Sequence, residues 1–189
     1  MPYKLKMQGL REAEKFVKDE VEKIKVKIKE ISEDKYELDL GKILIDFSLK
    51  QNDLDALVNR LPEQLKKAHN ETLDDIALKL KDALDASIQS PVWDWEGDTR
   101  DIVDTGRLRD SLIVSVENGE ISISYGEDYA AIVHYGGYFN PYGNPEIKQY
   151  YPGRPWVDSV LYGQGPVDQF DFEKEYNLIF TQKMAGLIR

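Results

Sequence analysis

The chain has no cysteine and only two histidines, His69 and His134, among its 189 residues. Without cysteine there can be no disulfide, no thiol nucleophile and no thiolate metal site. Two imidazoles argue against a zinc site built on histidine. No apolar run approaches the roughly 20 residues needed to cross a bilayer. The N-terminus also lacks the basic region and apolar run of a signal peptide, so a soluble chain with no membrane partner is expected. Positive charge is scarce after the first quarter. Residues 1–50 carry 12 Lys/Arg against 11 Asp/Glu, whereas residues 51–189 carry 13 against 24, for a net charge of −10 overall. So acidic a body disfavours gripping a phosphate backbone.

What is present is strongly periodic. Tyr3, Leu5 and Met7 alternate as in a strand, and a helical pattern follows from Gly9 to about Glu22. Ile24, Val26 and Ile28 then stand between lysines, which favours a strand. Those lysines share the segment with five acids between Glu20 and Asp34, so a mixed solvated face is expected rather than a basic patch. Lys42–Leu49 alternates clearly enough for another strand. Asn52-Asp53 suits a helix cap, and Pro62 marks a break or the first turn of a new helix. From Glu63 to about Ser90 runs the longest expected helix, with Leu65, Ala68, Leu73, Ile76, Leu80, Leu84 and Ile88 on one side. His69 is expected on its polar surface.

Pro91 ends that helix, and residues 90–100 read as a loop carrying Trp93 and Trp95, which are either an exposed aromatic pair or folded back on the core. Asp104-Thr105-Gly106 are turn formers, and Arg107 and Arg109 flank Leu108 so that an extended strand would present both guanidiniums on one side. Asn118-Gly119 between two alternating runs is a type I′ hairpin signature that places Leu112, Val114, Val116, Ile121, Ile123 and Tyr125 on one face. Asp128 suits the cap of a short helix, Tyr129–Tyr135, that stops at Gly136-Gly137. Residues 138–151 form a long loop or a two-stranded arm, whose four tyrosines and Phe139 argue for burial against something. Pro155 suits the first turn of a helix to Leu161, and residues 170–188 form a last amphipathic helix.

Catalytic constellations are missing from this pattern. Thirty-five acids make some pair of carboxylates inevitable, so an acidic hydrolase cleft has no specific signature. His134 would have to serve any Ser/His/Asp arrangement, yet no Gly-x-Ser-x-Gly elbow presents a serine. Gly136-Gly137 and Gly163-Gln164-Gly165 lack the Lys/Ser or helix context of a phosphate loop. No catalytic, metal or cofactor residue is assigned, and an enzyme is not expected; a small soluble hydrolase or a binding module using the Trp93/Trp95 loop are the readings of another class.

Three blocks in order carry a resemblance: Val103-Asp104-Thr105-Gly106-Arg107-Leu108-Arg109-Asp110-Ser111-Leu112, then Tyr129-Ala130-Ala131-Ile132-Val133-His134-Tyr135-Gly136, then Pro152-Gly153-Arg154-Pro155-Trp156. Together they resemble the tail-completion, or head–tail joining, family of tailed bacteriophages, over roughly residues 43–162. Residues 1–42 have no counterpart in that pattern, and the segment 138–151 is longer and richer in tyrosine. The resemblance implies an α+β subunit: a small antiparallel sheet with a central hairpin against a long helix and shorter helices. Residues 1–42 are then an added strand-helix-strand extension, 43–162 the tail-completion-like α+β domain and 163–189 a C-terminal helical segment.

It further implies a structural virion protein, assembled in the host cytoplasm, that forms a ring with itself, most often a hexamer, at the head–tail junction. Its neighbours would be portal or adaptor proteins on one side and tail proteins on the other, with genomic DNA passing through the lumen. A tail terminator ring is the near alternative. Interface or structural roles then fall to Asp104, Thr105, Gly106, Arg107, Arg109, Trp93, Trp95, His134, Tyr138, Phe139, Arg154 and Trp156. The arginines would anchor turns against carboxylates such as Asp104, Asp110 or Asp158.

Overall fold

The computed structural model describes residues 27–32, 35–39, 44–48, 54–95, 98–140 and 146–187. The chain divides into two units, one of residues 77–117 and 121–170, the other containing the described residues up to 76, residues 118–120 and residues from 171. The fold is α+β. The strand expected at residues 3–7, the helix expected at 9–22 and the cap at Asn52-Asp53 lie outside the described residues.

In the second unit, β1 (Lys27–Ser32), β2 (Lys35–Asp39) and β3 (Leu44–Ser48) form an antiparallel sheet in that order. The expected strands after residue 23 and at 42–49 are present, and β2 joins them. Leu38 and Ile45 face each other across β2 and β3, and both are buried. The C-terminal helix α5 (Phe172–Leu187) packs on β3.

The long helix α1 (Leu54–Gln89) is continuous through Pro62, so the expected break does not occur. Proline removes the amide that would bond the Val58 carbonyl, but Val58 lies on the exposed side, where water can satisfy that oxygen. Leu57, Leu61, Leu65, Ala68, Leu73, Ile76, Leu80, Leu84 and Ile88 are all buried. At about 1.5–3 kcal/mol for each large side chain, this stripe outweighs the loss of one helical hydrogen bond.

His69 is not on the surface. It is 6% exposed, and its Nδ1 lies 2.9 Å from the Tyr176 hydroxyl of α5. Position 69 adjoins the apolar stripe at the point where α5 covers it, so periodicity within α1 alone misplaced it. Lys183 of α5 reaches Asp75 at 2.8 Å, and Gln64 Nε2 donates to the Leu187 carbonyl at 3.1 Å, closing the same seam from its polar edges.

In the first unit the loop expected after Pro91 contains a short antiparallel pair, β4 (Trp93–Trp95) and β5 (Asp98–Arg100). Arg107–Asp110 forms a helical turn, α2, rather than the start of a strand. Gly106 at φ +80° opens that turn, and the Ser111 amide and hydroxyl bond back to the carbonyls of Arg107 and Leu108. The two guanidiniums therefore do not share the face that an extended backbone would have given them. β6 (Leu112–Glu117) and β7 (Glu120–Tyr125) form the expected hairpin around Asn118 (φ 53°) and Gly119 (φ 76°). Leu112, Ile121, Ile123 and Tyr125 are buried, and Ile113 on the opposite face is exposed.

Helix α3 spans Ala130–Tyr135, and Tyr129 rather than Asp128 occupies its N-cap position without a side-chain cap. β8 (Gly136–Phe139) and β9 (Gln149–Pro152) pair as the two-stranded arm. Helix α4 (Trp156–Tyr162) follows, with Pro155 at its N-cap.

Candidate functional site

The first unit is centred on Trp156, which is 1% exposed. Its indole Nε1 donates to the Tyr125 hydroxyl at 2.8 Å, and the two rings meet edge to face at 5.4 Å. Ser87 of α1 receives Trp93 Nε1 on its carbonyl at 2.8 Å, which settles the tryptophan question for this residue: Trp93 is folded back on the core. The side chain of Trp95 lies outside the described residues. His134 stands edge-on to Trp156 at 4.8 Å and to Tyr135 at 4.6 Å, with Nε2 3.4 Å from Asp158 Oδ2. Burial lowers the His134 pKa, and the Asp158 carboxylate pulls it partly back.

Beside this core lies a cavity of about 240 Å³. The turn from Ile102 to Gly106 lines it together with Leu108 and Arg109, as do Ile88 of α1, Arg100, Tyr129, Val133 and Tyr151. The Ile102 amide donates to the Ile88 carbonyl at 2.9 Å, so the turn is tied to the end of the long helix. Asp104 and Thr105 are exposed on the cavity wall.

The arginines divide into two kinds. Arg107 bonds both oxygens of Glu127 at 3.1–3.2 Å, and Arg109 bonds its neighbour Asp110 at 2.7–2.8 Å, both in exposed settings. Of the carboxylates expected as partners, Asp110 serves Arg109, Glu127 takes the place of Asp104, and Asp158 faces His134 instead. Arg154 is only 3% exposed. Its Nε and Nη2 donate to the Asp94 main-chain carbonyl at 3.1 and 2.8 Å, and its guanidinium lies 4.7 Å from the Tyr151 ring centre. A buried, forked donor on a main-chain acceptor and a ring face is a use specific to arginine. It ties the root of the arm to β4.

The arm has two different faces. Tyr138 and Tyr150 are cross-strand partners whose rings meet at 5.3 Å, and they are 70% and 59% exposed. Phe139 and Tyr151 lie on the opposite face, half-buried, 6.5 Å apart. Among the arm's described aromatics the expected burial therefore holds only in part, for Phe139 and Tyr151 on that inner face, and Tyr142 lies outside the described residues.

Ser87 and Glu127 were not singled out in the sequence. Ser87 sits among Leu84 and Ile88 on the buried stripe, a signal that could have found it; Glu127 is one acid among many. Among the described residues no cluster of His, Asp and Glu is placed to hold a metal ion, and no helix is long and apolar enough to cross a membrane. No known protein family, curated protein or solved structure matches the chain.

Proposed function

We propose that the protein is a structural subunit of the head–tail junction of a tailed bacteriophage, assembling with itself into a ring through which DNA passes. One observation carries the reading. The first two sequence blocks of the resemblance line one cavity, with Val103–Gly106, Leu108 and Arg109 from one and Tyr129 and Val133 from the other, and the third block adjoins them through the amide of Arg154, which bonds the Val133 carbonyl at 2.9 Å. The resemblance thus follows a spatial unit rather than three unrelated fragments.

Two further features support it. The arm offers exposed tyrosines, a residue type enriched in the anchors of protein interfaces. The acidic body suits a channel that DNA traverses without being held, because phosphate affinity comes from cationic contacts. Sedimentation and negative-stain imaging of the purified chain test the reading. Rings, or oligomers completed by adding portal or tail proteins, are the expected result. A strictly monomeric chain that binds neither component overturns it.

A further inference from the structure

A ring with more than two members needs two different surfaces on each subunit, because a head-to-tail contact closes only when one patch meets another. The first unit holds one projecting surface and one recessed surface. The outer face of the arm projects Tyr138 and Tyr150, and residues 136–152 carry a single Glu and a single Lys in a chain of net charge −10. An identical acidic copy is repelled least along this neutral segment. The recess is the cavity beside the Val103–Gly106 turn. At about 240 Å³ it is smaller than the roughly 300–1,000 Å³ of small-molecule pockets, and suits one inserted side chain. Ile88, Ile102, Val103, Leu108 and Val133 give it aliphatic walls, and Arg100, Asp104, Thr105, Arg109 and Tyr129 add polar and charged atoms. A tyrosine matches that mixture, with its ring against the aliphatic side chains and its hydroxyl at the polar rim.

We infer that the arm of one copy docks in the cavity of the next, with Tyr138 or Tyr150 as the inserted side chain. This rests on the ring reading above and gives it a contact. The absence of cysteine allows a clean test, because engineered thiols have no native competitor. A chain carrying both Tyr138→Cys and Thr105→Cys, one on the arm and one on the exposed cavity wall, is oxidised and run on a non-reducing gel. Only Cβ atoms brought within about 3.5–4.5 Å can be bridged without strain. The expected result is a ladder of covalent oligomers from the double variant, a heterodimer from a mixture of the two single variants, and no cross-link from either single variant alone.

Tyr138→Ser combined with Tyr150→Ser, at exposed positions where folding should be spared, is expected to weaken self-association at least about 10-fold. Far-UV circular dichroism and the urea midpoint check that the variant remains folded. If wild type assembles but the tyrosine variant assembles equally well, or Tyr138→Cys cross-links only to itself, the arm-to-cavity contact is wrong and the ring reading stands. If wild type sediments as a monomer and binds no junction component, the ring reading fails and the contact with it.

Discussion

Gly153 lies so close to Gly136 that a Cβ built on either one would fall 2.6 Å from the backbone nitrogen of the other. Neither distance can be relieved by turning a side chain, because backbone stands on both sides. Gly136 also has φ +76°, where a side chain is strained in any case. This pair lets the end of α3 and the end of β9 cross in contact, which sets the direction of the arm. Gly153→Ala is expected to cost about 1–3 kcal/mol in a urea titration, as overpacking does. Gly186→Ala is the control: its Cβ would meet nothing within 4 Å in α5, and it should leave stability unchanged or raise it by up to about 1 kcal/mol. Equal effects from the two would show that the glycine contact does not constrain the fold.

Tyr125→Phe keeps the ring against Trp156 and removes only the oxygen that accepts its indole N–H. The donor is then buried without that partner, which costs about 1–3 kcal/mol. The substitution should lower the urea midpoint and shift the tryptophan emission. Burial also pushes the Tyr125 phenol far above its ordinary pKa, despite the opposing effect of the Trp156 hydrogen bond. A raised folded-state pKa contributes stability that is intact below the unfolded value near 10 and is lost as pH rises above it. Wild type should therefore weaken above about pH 10, and Tyr125→Phe should weaken less steeply there.

Much of this architecture is legible in the sequence, where local chemistry decides. Asn118-Gly119 gives its hairpin because few other residues accept positive φ at two successive positions. The apolar spacing from Leu65 to Ile88 gives the long helix, and Gly136-Gly137 ends the short one. The misreadings arise where a distant segment decides. Pro62 has a real breaking tendency, overridden by the continuous buried stripe on either side of it. His69 looks solvated until α5 supplies Tyr176. Arg107-Leu108-Arg109 alternates like a strand, yet the Gly106 turn and the Ser111 hydroxyl make a helical turn the better home for those amides. Within the candidate site, the arginine types were visible but their partners were not, because Glu127 and the Asp94 carbonyl become neighbours only through the fold.

The two kinds of arginine should respond differently to replacement. Arg154→Lys keeps a cation but not the fork that reaches Asp94 from two nitrogens, nor the flat contact with Tyr151. Buried bonds from a charged donor contribute about 1.5–3 kcal/mol, so a loss of that order is expected in the urea midpoint. Arg109→Ala removes an exposed pair with an adjacent residue and should cost no more than about 0–1 kcal/mol. A larger loss at Arg109 than at Arg154 would reverse this assignment of roles.

Acid should weaken the protein through its two histidines. Burial lowers the pKa of both His69 and His134, and at His134 the Asp158 carboxylate opposes the shift without cancelling it. The folded state therefore favours the neutral rings, while the unfolded chain takes up protons near pH 6.5. Stability gained by excluding those protons is present above pH 6.5 and is lost as pH falls below it, with a slope of up to about 1.4 kcal/mol per pH unit for each histidine. Urea midpoints followed by circular dichroism should be level between pH 7 and 8 and decline towards pH 5. His69→Gln, which keeps an acceptor for the Tyr176 hydroxyl, should flatten the decline. Asp158→Asn should steepen it, because His134 then loses the carboxylate that favours its charged form. A His69→Gln midpoint that declines as steeply as wild type between pH 7 and 5 would show that the His69 ring is not kept neutral by its surroundings.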